Sequence, residues 1–241
     1  LGGRDPQRLD ATARYCLDQG AEVSATQGDV TDSHAMNAWV HGTNGLDLVL
    51  ACAGITGGTH VPPAPGEGPY EPHAQIRRIF ETDLTGVLNT VLPALEVMHA
   101  QPRRDHGVRG RICAISSVAG LVSFPGTPAY SAAKAAVDRF MVATGANTRK
   151  SGILLSSVVC GFVDTPMVAG NAFPMPGLSD VDTACRRILR GIGRNERRIV
   201  FPRWLALGSR MMDLLPIRLA EAYYTRQPSG APGTMPQTDL S

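Results

Sequence analysis

The chain has 241 residues, 43% apolar and 18% charged, with a formal net charge of +2. That suits one α/β domain with a sizeable core; the charge argues neither for nor against an anionic partner, and without arginine–aromatic interleaving no nucleic-acid partner is expected. Cys16, Cys52, Cys113, Cys160 and Cys185 lack CxxC spacing and read as reduced thiols of a cytoplasmic protein, and the histidines form no metal-binding cluster.

Residues 6–19 read as a helix, with Asp5 as N-cap and Pro6 in its first turn. A strand over 21–27 and a helix over 31–41 follow, then a strand over 46–52 that runs into Ala53-Gly54. A loop rich in proline and glycine, 56–72, leads to a long helix expected over 73–100. Residues 111–117 form a short apolar run ending in two hydroxyls, as a buried parallel strand would. After a loop punctuated by Gly120 and Pro125-Gly126 comes a helix carrying Tyr130 and Lys134. A buried strand over 153–160, a variable segment to 179, a helix near 181–192 and a strand over 197–201 complete the pattern. Strands and helices alternate, which implies a parallel sheet covered on both faces.

Tyr130 and Lys134 stand four residues apart, one helical turn from each other on one face. There the ammonium can lower the pKa of the phenol and fit it for proton transfer. Ser117, ending the preceding strand, is placed to hold a carbonyl beside them. The bland reading of a bare Tyr/Lys pair is an exposed helix face. The text around it argues otherwise: Ser116-Ser117-Val118-Ala119-Gly120, then Tyr130-Ser131-Ala132-Ala133-Lys134, then a strand closed by Gly161-Phe162-Val163-Asp164-Thr165-Pro166. This ordered set closely resembles the short-chain dehydrogenase/reductase family.

The resemblance implies a Rossmann-type doubly wound parallel sheet and an NAD(P)-dependent oxidoreductase that moves hydride between nicotinamide and a carbonyl or alcohol substrate. It implies Tyr130 as acid/base, Lys134 as its activator and a cofactor contact, and Ser117 as the carbonyl-orienting hydroxyl. It makes Asp29 and Val30 adenine-side contacts; the bland reading of Asp29 is an N-cap, a role open equally to Thr31. Ala53 and Gly54 stand where the family has an Asn-Asn-Ala-Gly run, small enough for close backbone approach to a ribose. Val163 and Thr165 match residues holding the nicotinamide carboxamide, although Thr165 could instead cap a helix. Arg4 follows the family's second strand, where NAD-specific relatives carry an acid. A guanidinium suits a 2′-phosphate, so NADP(H) is expected over NAD(H).

Two departures stand out. The family's first strand and glycine-rich turn have no counterpart, which leads us to expect a piece of a longer protein. In addition, Asp83 of Asp83-Leu84-Thr85-Gly86 occupies the place of an asparagine that orders a relay water. A carboxylate there accepts hydrogen bonds but does not donate as an amide does, and its charge raises the pKa of Lys134. It reads either as an altered relay or as an aspartate tolerated in the helix.

The catalytic domain is expected over 1–201. Residues 202–226 interleave large apolar side chains with arginines and are too broken to span a bilayer. This segment could cover the pocket, form an oligomer interface, or lie peripherally on a membrane surface. In the segment 167–179, Phe173, Met175 and Leu178 suit an apolar lid or plain loop packing. Residues 227–241 read as a disordered tail. Relatives of this kind suggest a homodimer or homotetramer. The competing reading is a non-catalytic binding or scaffold protein, motivated by the absent glycine turn, the replaced asparagines and Asp83; an epimerase or dehydratase is a lesser rival.

Overall fold

A computed structural model describes residues 1–59, 64–68, 70–171 and 174–225. Phe173, Arg226 and the tail 227–241, singled out above, lie outside them.

Helix α1 (Pro6–Asp18) starts where Asp5 accepts the N–H groups of Gln7 and Arg8, with Pro6 in the first turn. Strand β1 (Gly2–Gly3) pairs in parallel with β2 (Thr26–Gln27). Of the expected strand 21–27, only the last two residues, Thr26 and Gln27, pair as a strand. Helix α2 (Ser33–His41) begins later than expected because Asp32 takes the N-cap, accepting the Ala35 N–H at 2.9 Å. Asp29 is not a cap: its carboxylate binds the N–H and hydroxyl of Thr31.

Strands β3 (Leu48–Ala51), β4 (Gly110–Ser117), β5 (Ile153–Cys160) and β6 (Arg198–Phe201) form a second sheet in the order β3-β4-β5-β6, all parallel. The sheet β1-β2 stands apart from it. Among the described residues β3 pairs only with β4, and Leu48 and Leu50 are exposed.

The buried strands pack both faces, as their continuous apolar runs require. On one side Ile112 and Ala114 of β4 meet α4 (Gly86–Ala100) and α5 (Pro128–Thr148) through Val87, Val91, Met98, Val137 and Met141. On the other, Cys113 and Val158 pack against Ala184 and Ile192 of α6 (Val181–Gly193). Successive β4 residues thus serve opposite cores, the period-two signature of a strand.

The long helix expected over 73–100 is α3 (His73–Phe80) and α4 joined by a π-helical turn, Glu81–Thr85. Such turns insert an extra residue into the helix and re-aim side chains, often at functional sites. Here the turn carries Asp83, with no exposed surface, toward α5. At the end of the turn, a Cβ on Gly86 would fall 2.5 Å from Val30 Cγ2, so this glycine seats the helix on the loop after β2.

Helix α5 is fastened from several directions. The buried Glu71 carboxylate accepts the Ala129 N–H at 2.9 Å in its first turn and is held by Gln75. One turn beyond Lys134, buried Asp138 receives Ser157 and a bidentate Arg198, tying α5 to β5 and β6. Gly120 lies against the α5 backbone, where a Cβ would fall 2.7 Å from Ala135 N and 2.8 Å from Lys134 C. Because backbone cannot step aside cheaply, Gly120→Ala is expected to lower stability by about 3 kcal/mol, read as a reduced denaturation midpoint.

The last part of the chain forms α7 (Arg203–Asp213) and α8 (Ile217–Tyr224), with Pro216 between them. No helix among the described residues is long and apolar enough to cross a membrane.

Candidate active site

A cavity of about 850 Å³ opens at the carboxyl ends of β3, β4, β5 and β6, bordered by Cys52, Ser117, Cys160 and Phe201. This is where parallel α/β sheets present ligand sites, because loops diverge there. Ser117, Tyr130 and Lys134 all line it.

Lys134 is held at three points. Its carbonyl accepts the Ser116 hydroxyl at 2.8 Å. Its ammonium donates to the Ile115 carbonyl at 3.1 Å and lies 3.1 Å from Asp83 Oδ2. The other Asp83 oxygen accepts the Ile55 N–H at 2.7 Å. Oδ2 is buried, and its contact with the ammonium is an ion pair without hydrogen-bond alignment. The pair lies behind Gly54, where a Cβ would fall 3.2 Å from both Asp83 Oδ2 and Lys134 Nζ.

The ammonium also sits 5.5 Å from the centre of the Tyr130 ring. Burial pulls the pKa of Lys134 down, but Tyr130 and Asp83 outweigh it, so the group stays above its ordinary value as a cation. Burial pushes the Asp83 carboxyl up, against the pull of Lys134 and the Ile55 N–H.

Tyr130 differs from the sequence expectation. Lys134 and the Ser117 hydroxyl do pull its phenol down, but burial, with the charges of Asp83 and Cys160, holds it above its ordinary value. The expected lowering therefore does not prevail. One charged neighbour is offset by another, and desolvation decides the sign.

The cofactor positions fall into two groups. Gly54, Tyr130, Lys134, Val163 and Thr165 line the cavity together. Thr165 caps no helix: its hydroxyl donates to the Val163 carbonyl, and Val163 bridges to Ser179. Arg4, Asp29, Val30 and Ala53 do not border it. Arg4 and Asp29 pair with each other at 3.3 Å beside the β1-β2 sheet, and Val30 packs on Gly86 with its carbonyl accepting Asn89 Nδ2 at 2.8 Å.

Leu205 and Ser209 of α7, within the segment 202–226, also line the cavity, together with Cys52 and Cys160 at strand ends and Phe124. The four-residue spacing of Leu205 and Ser209 was the signal for a helix face turned to the pocket. Tyr223 and Tyr224 of α8 close the same wall, with the Tyr224 ring edge-on to Phe124. Of the lid candidates, Met175 and Leu178 do not line the cavity and Phe173 lies outside the described residues; other members of the segment, Met167, Val168, Asn171, Pro174 and Pro176, do line it. Met175 packs its sulfur near Asn171 Nδ2.

The fold and the position of this site define a Rossmann-type α/β protein. The sequence profile described as short chain dehydrogenase matches residues 1–173. An uncharacterized oxidoreductase of Myxococcus xanthus is 32% identical over 224 residues, 91% of this chain and 83% of that protein. The cis-4-hydroxycyclohexanecarboxylate dehydrogenase of Sinomonas cyclohexanicum is 34% identical over 173 residues, 67% of this chain and 61% of that one. Among solved structures, a short-chain dehydrogenase from Sphingobium yanoikuyae in complex with NADPH superposes with a TM-score of 0.70 at 23% identity, covering 90% and 86% of the two chains. Levodione reductase superposes at 0.60 with 25% identity, covering 70% of this chain and 63% of its own. The chain belongs to the short-chain dehydrogenase family of oxidoreductases.

Proposed function

We propose that the protein is an NAD(P)-dependent oxidoreductase interconverting a secondary alcohol and its carbonyl compound, with Tyr130 as the acid/base. One observation carries the reading: Tyr130, Lys134 and Ser117 meet in one cavity, the ammonium fixed beside the phenol.

The donor set fits a nicotinamide cofactor. Gly54 leaves bare backbone beside the ammonium, and Val163 and Thr165 border the same space. Gly54, Lys134, Val163 and Thr165 would hold the nicotinamide half. Arg4, Asp29, Val30 and Ala53 are assigned to the adenosine half. When bound, the cofactor supplies or accepts the hydride.

The chain's own groups do the rest. Ser117 orients the carbonyl oxygen toward the phenol. Tyr130 donates its proton to that oxygen in reduction and, as phenolate, removes the hydroxyl proton in oxidation. Lys134 stabilises the phenolate that each reduction leaves behind. Asp83 holds the lysine in place through a carboxylate rather than through an amide. The walls of Phe162, Met167, Ile188 and Leu205 exclude water and leave room for an apolar substrate body.

We assign NADP(H) as the preferred cofactor because Arg4 is half-exposed and lies in the loop after β1. Its exposed pair with Asp29 is worth about 0–1 kcal/mol. A charge-assisted contact to a phosphate is worth about 1.5–3 kcal/mol, enough to draw the guanidinium away.

The test is a fluorescence titration with NADPH and NADH in parallel, followed by turnover of cis-4-hydroxycyclohexanecarboxylate and related cyclic alcohols and ketones. NADPH is expected to bind more tightly. Arg4→Ala should weaken NADPH about tenfold and leave NADH unchanged. An equal loss for both would remove the 2′-phosphate assignment. Binding of neither cofactor would turn the reading to a non-catalytic relative.

A further inference from the structure

Helices α7 and α8 present different faces to the cavity and to solvent. Leu205 and Ser209 of α7 line the cavity and Ala206 is buried, while Trp204, Leu207, Met211 and Leu214 follow an i, i+3, i+7, i+10 stripe that is exposed. A helix packed on a soluble domain ordinarily turns its more apolar stripe inward. Here the larger apolar stripe faces out. On α8, Tyr223 and Tyr224 border the cavity, Tyr223 while half-exposed, and Ile217 and Leu219 are exposed.

Exposure peaks where the helices join: Leu214 is 85% exposed and Ile217 75%, with Leu215 and Pro216 between them. These four consecutive apolar residues make an exposed elbow between α7 and α8. A contiguous exposed patch of this kind marks an interaction surface.

Its chemistry selects the occupant. Exposed Arg203, Arg210 and Arg218 flank the apolar stripe, and against Asp213 and Glu221 they leave residues 202–225 with a net positive charge. Trp204 and Tyr223, both exposed, are the residue types that settle at lipid headgroup level. Exposed apolar side chains interspersed with interfacial aromatics and guanidinium groups match a layer that is anionic at its surface and apolar a few ångströms below.

We propose that the α7–α8 elbow docks the protein on the surface of an anionic phospholipid bilayer, inserting Leu214, Leu215 and Ile217 among the headgroups. The helices that dock also form the cavity wall, so docking brings the cavity to the lipid surface. The surface is separate from the hydride-transfer site, and its test needs no turnover.

The full chain would be sedimented with vesicles of phosphatidylcholine, with and without phosphatidylglycerol. It is expected to pellet with the phosphatidylglycerol vesicles, less so as salt is raised. Leu214→Asp/Ile217→Asp should weaken this partition at least about tenfold. Circular dichroism and cofactor titration should not change, because both side chains lie mostly in solvent. A wild type that pellets with neither vesicle, or a double variant that pellets as well as wild type, overturns the proposal. Sedimentation velocity on the same samples reads the rival: a wild-type dimer made monomeric by the double variant, with no pelleting, assigns the face to a second copy.

Discussion

Tyr130→Phe is expected to lower turnover by about a thousandfold and to leave cofactor binding unchanged. A positioned acid/base contributes about 10²–10⁴-fold; the Cys160 thiol on the same cavity is pushed up by burial and donates to the Ser116 carbonyl, so it is no replacement for the phenol. Asp83 is buried behind Gly54, and Lys134 is held by Asp83 and the Ile115 carbonyl. The substitution removes only the hydroxyl. The ring still packs with Ile79, Ala129 and Ala133, and the ammonium keeps its place over the ring face. The stability loss should therefore stay near 1 kcal/mol, the net worth of an ordinary hydrogen bond. Steady-state rates on the best substrate of the panel, with NADPH titration of the same sample, separate chemistry from binding. Turnover within tenfold of wild type would remove Tyr130 from its role. Equal loss of binding and rate would make it structural.

Much of this site is legible in the chain because its parts are local. Tyr130 and Lys134 share a helix turn, and Ser117 ends a strand whose apolar run announces itself. The alternation of strands and helices likewise yields the parallel α/β class. What escapes are features decided by distant partners. The π-turn at Glu81–Thr85 has no periodicity of its own; it shows only when Asp83 is seen reaching Lys134 and the Ile55 N–H. Asp32 displaces Asp29 and Thr31 as the cap of α2 because Asp29 is drawn to Thr31 and Arg4. The upward shift of Tyr130 depends on how much protein surrounds the phenol, a property of packing rather than of spacing.

Asp83→Asn is expected to keep the fold while moving the pH dependence of the reaction to lower pH. Asn89 Nδ2 reaches the Val30 carbonyl and Ser157 reaches Asp138, so the elements on either side of Asp83 stay anchored. An amide oxygen can still accept the Ile55 N–H. The ammonium retains the Ile115 carbonyl, and a desolvated carboxylate is replaced by a neutral group. The sign follows from the charges that face Tyr130. Lys134 pulls its pKa down; Asp83 and Cys160 push it up, alongside burial. Removing the carboxylate deletes one upward contribution and leaves the lysine's pull unopposed by it, so the phenol ionises at lower pH. Oxidation, which needs phenolate, should then rise earlier on the pH axis. Reduction, which needs the phenol, should fall off earlier. Asp83→Leu separates this electrostatic role from packing. Both variants leave Lys134 without a counter-charge, at a cost of about 3–5 kcal/mol in stability, and Asp83→Leu also orphans the Ile55 N–H, about 1–3 kcal/mol more. Initial rates across pH in both directions, with urea melts of both variants, decide the matter. An Asn variant with an unmoved pH profile would mean that the carboxylate does not act on the phenol, leaving Asp83 as a structural anchor of Lys134 alone.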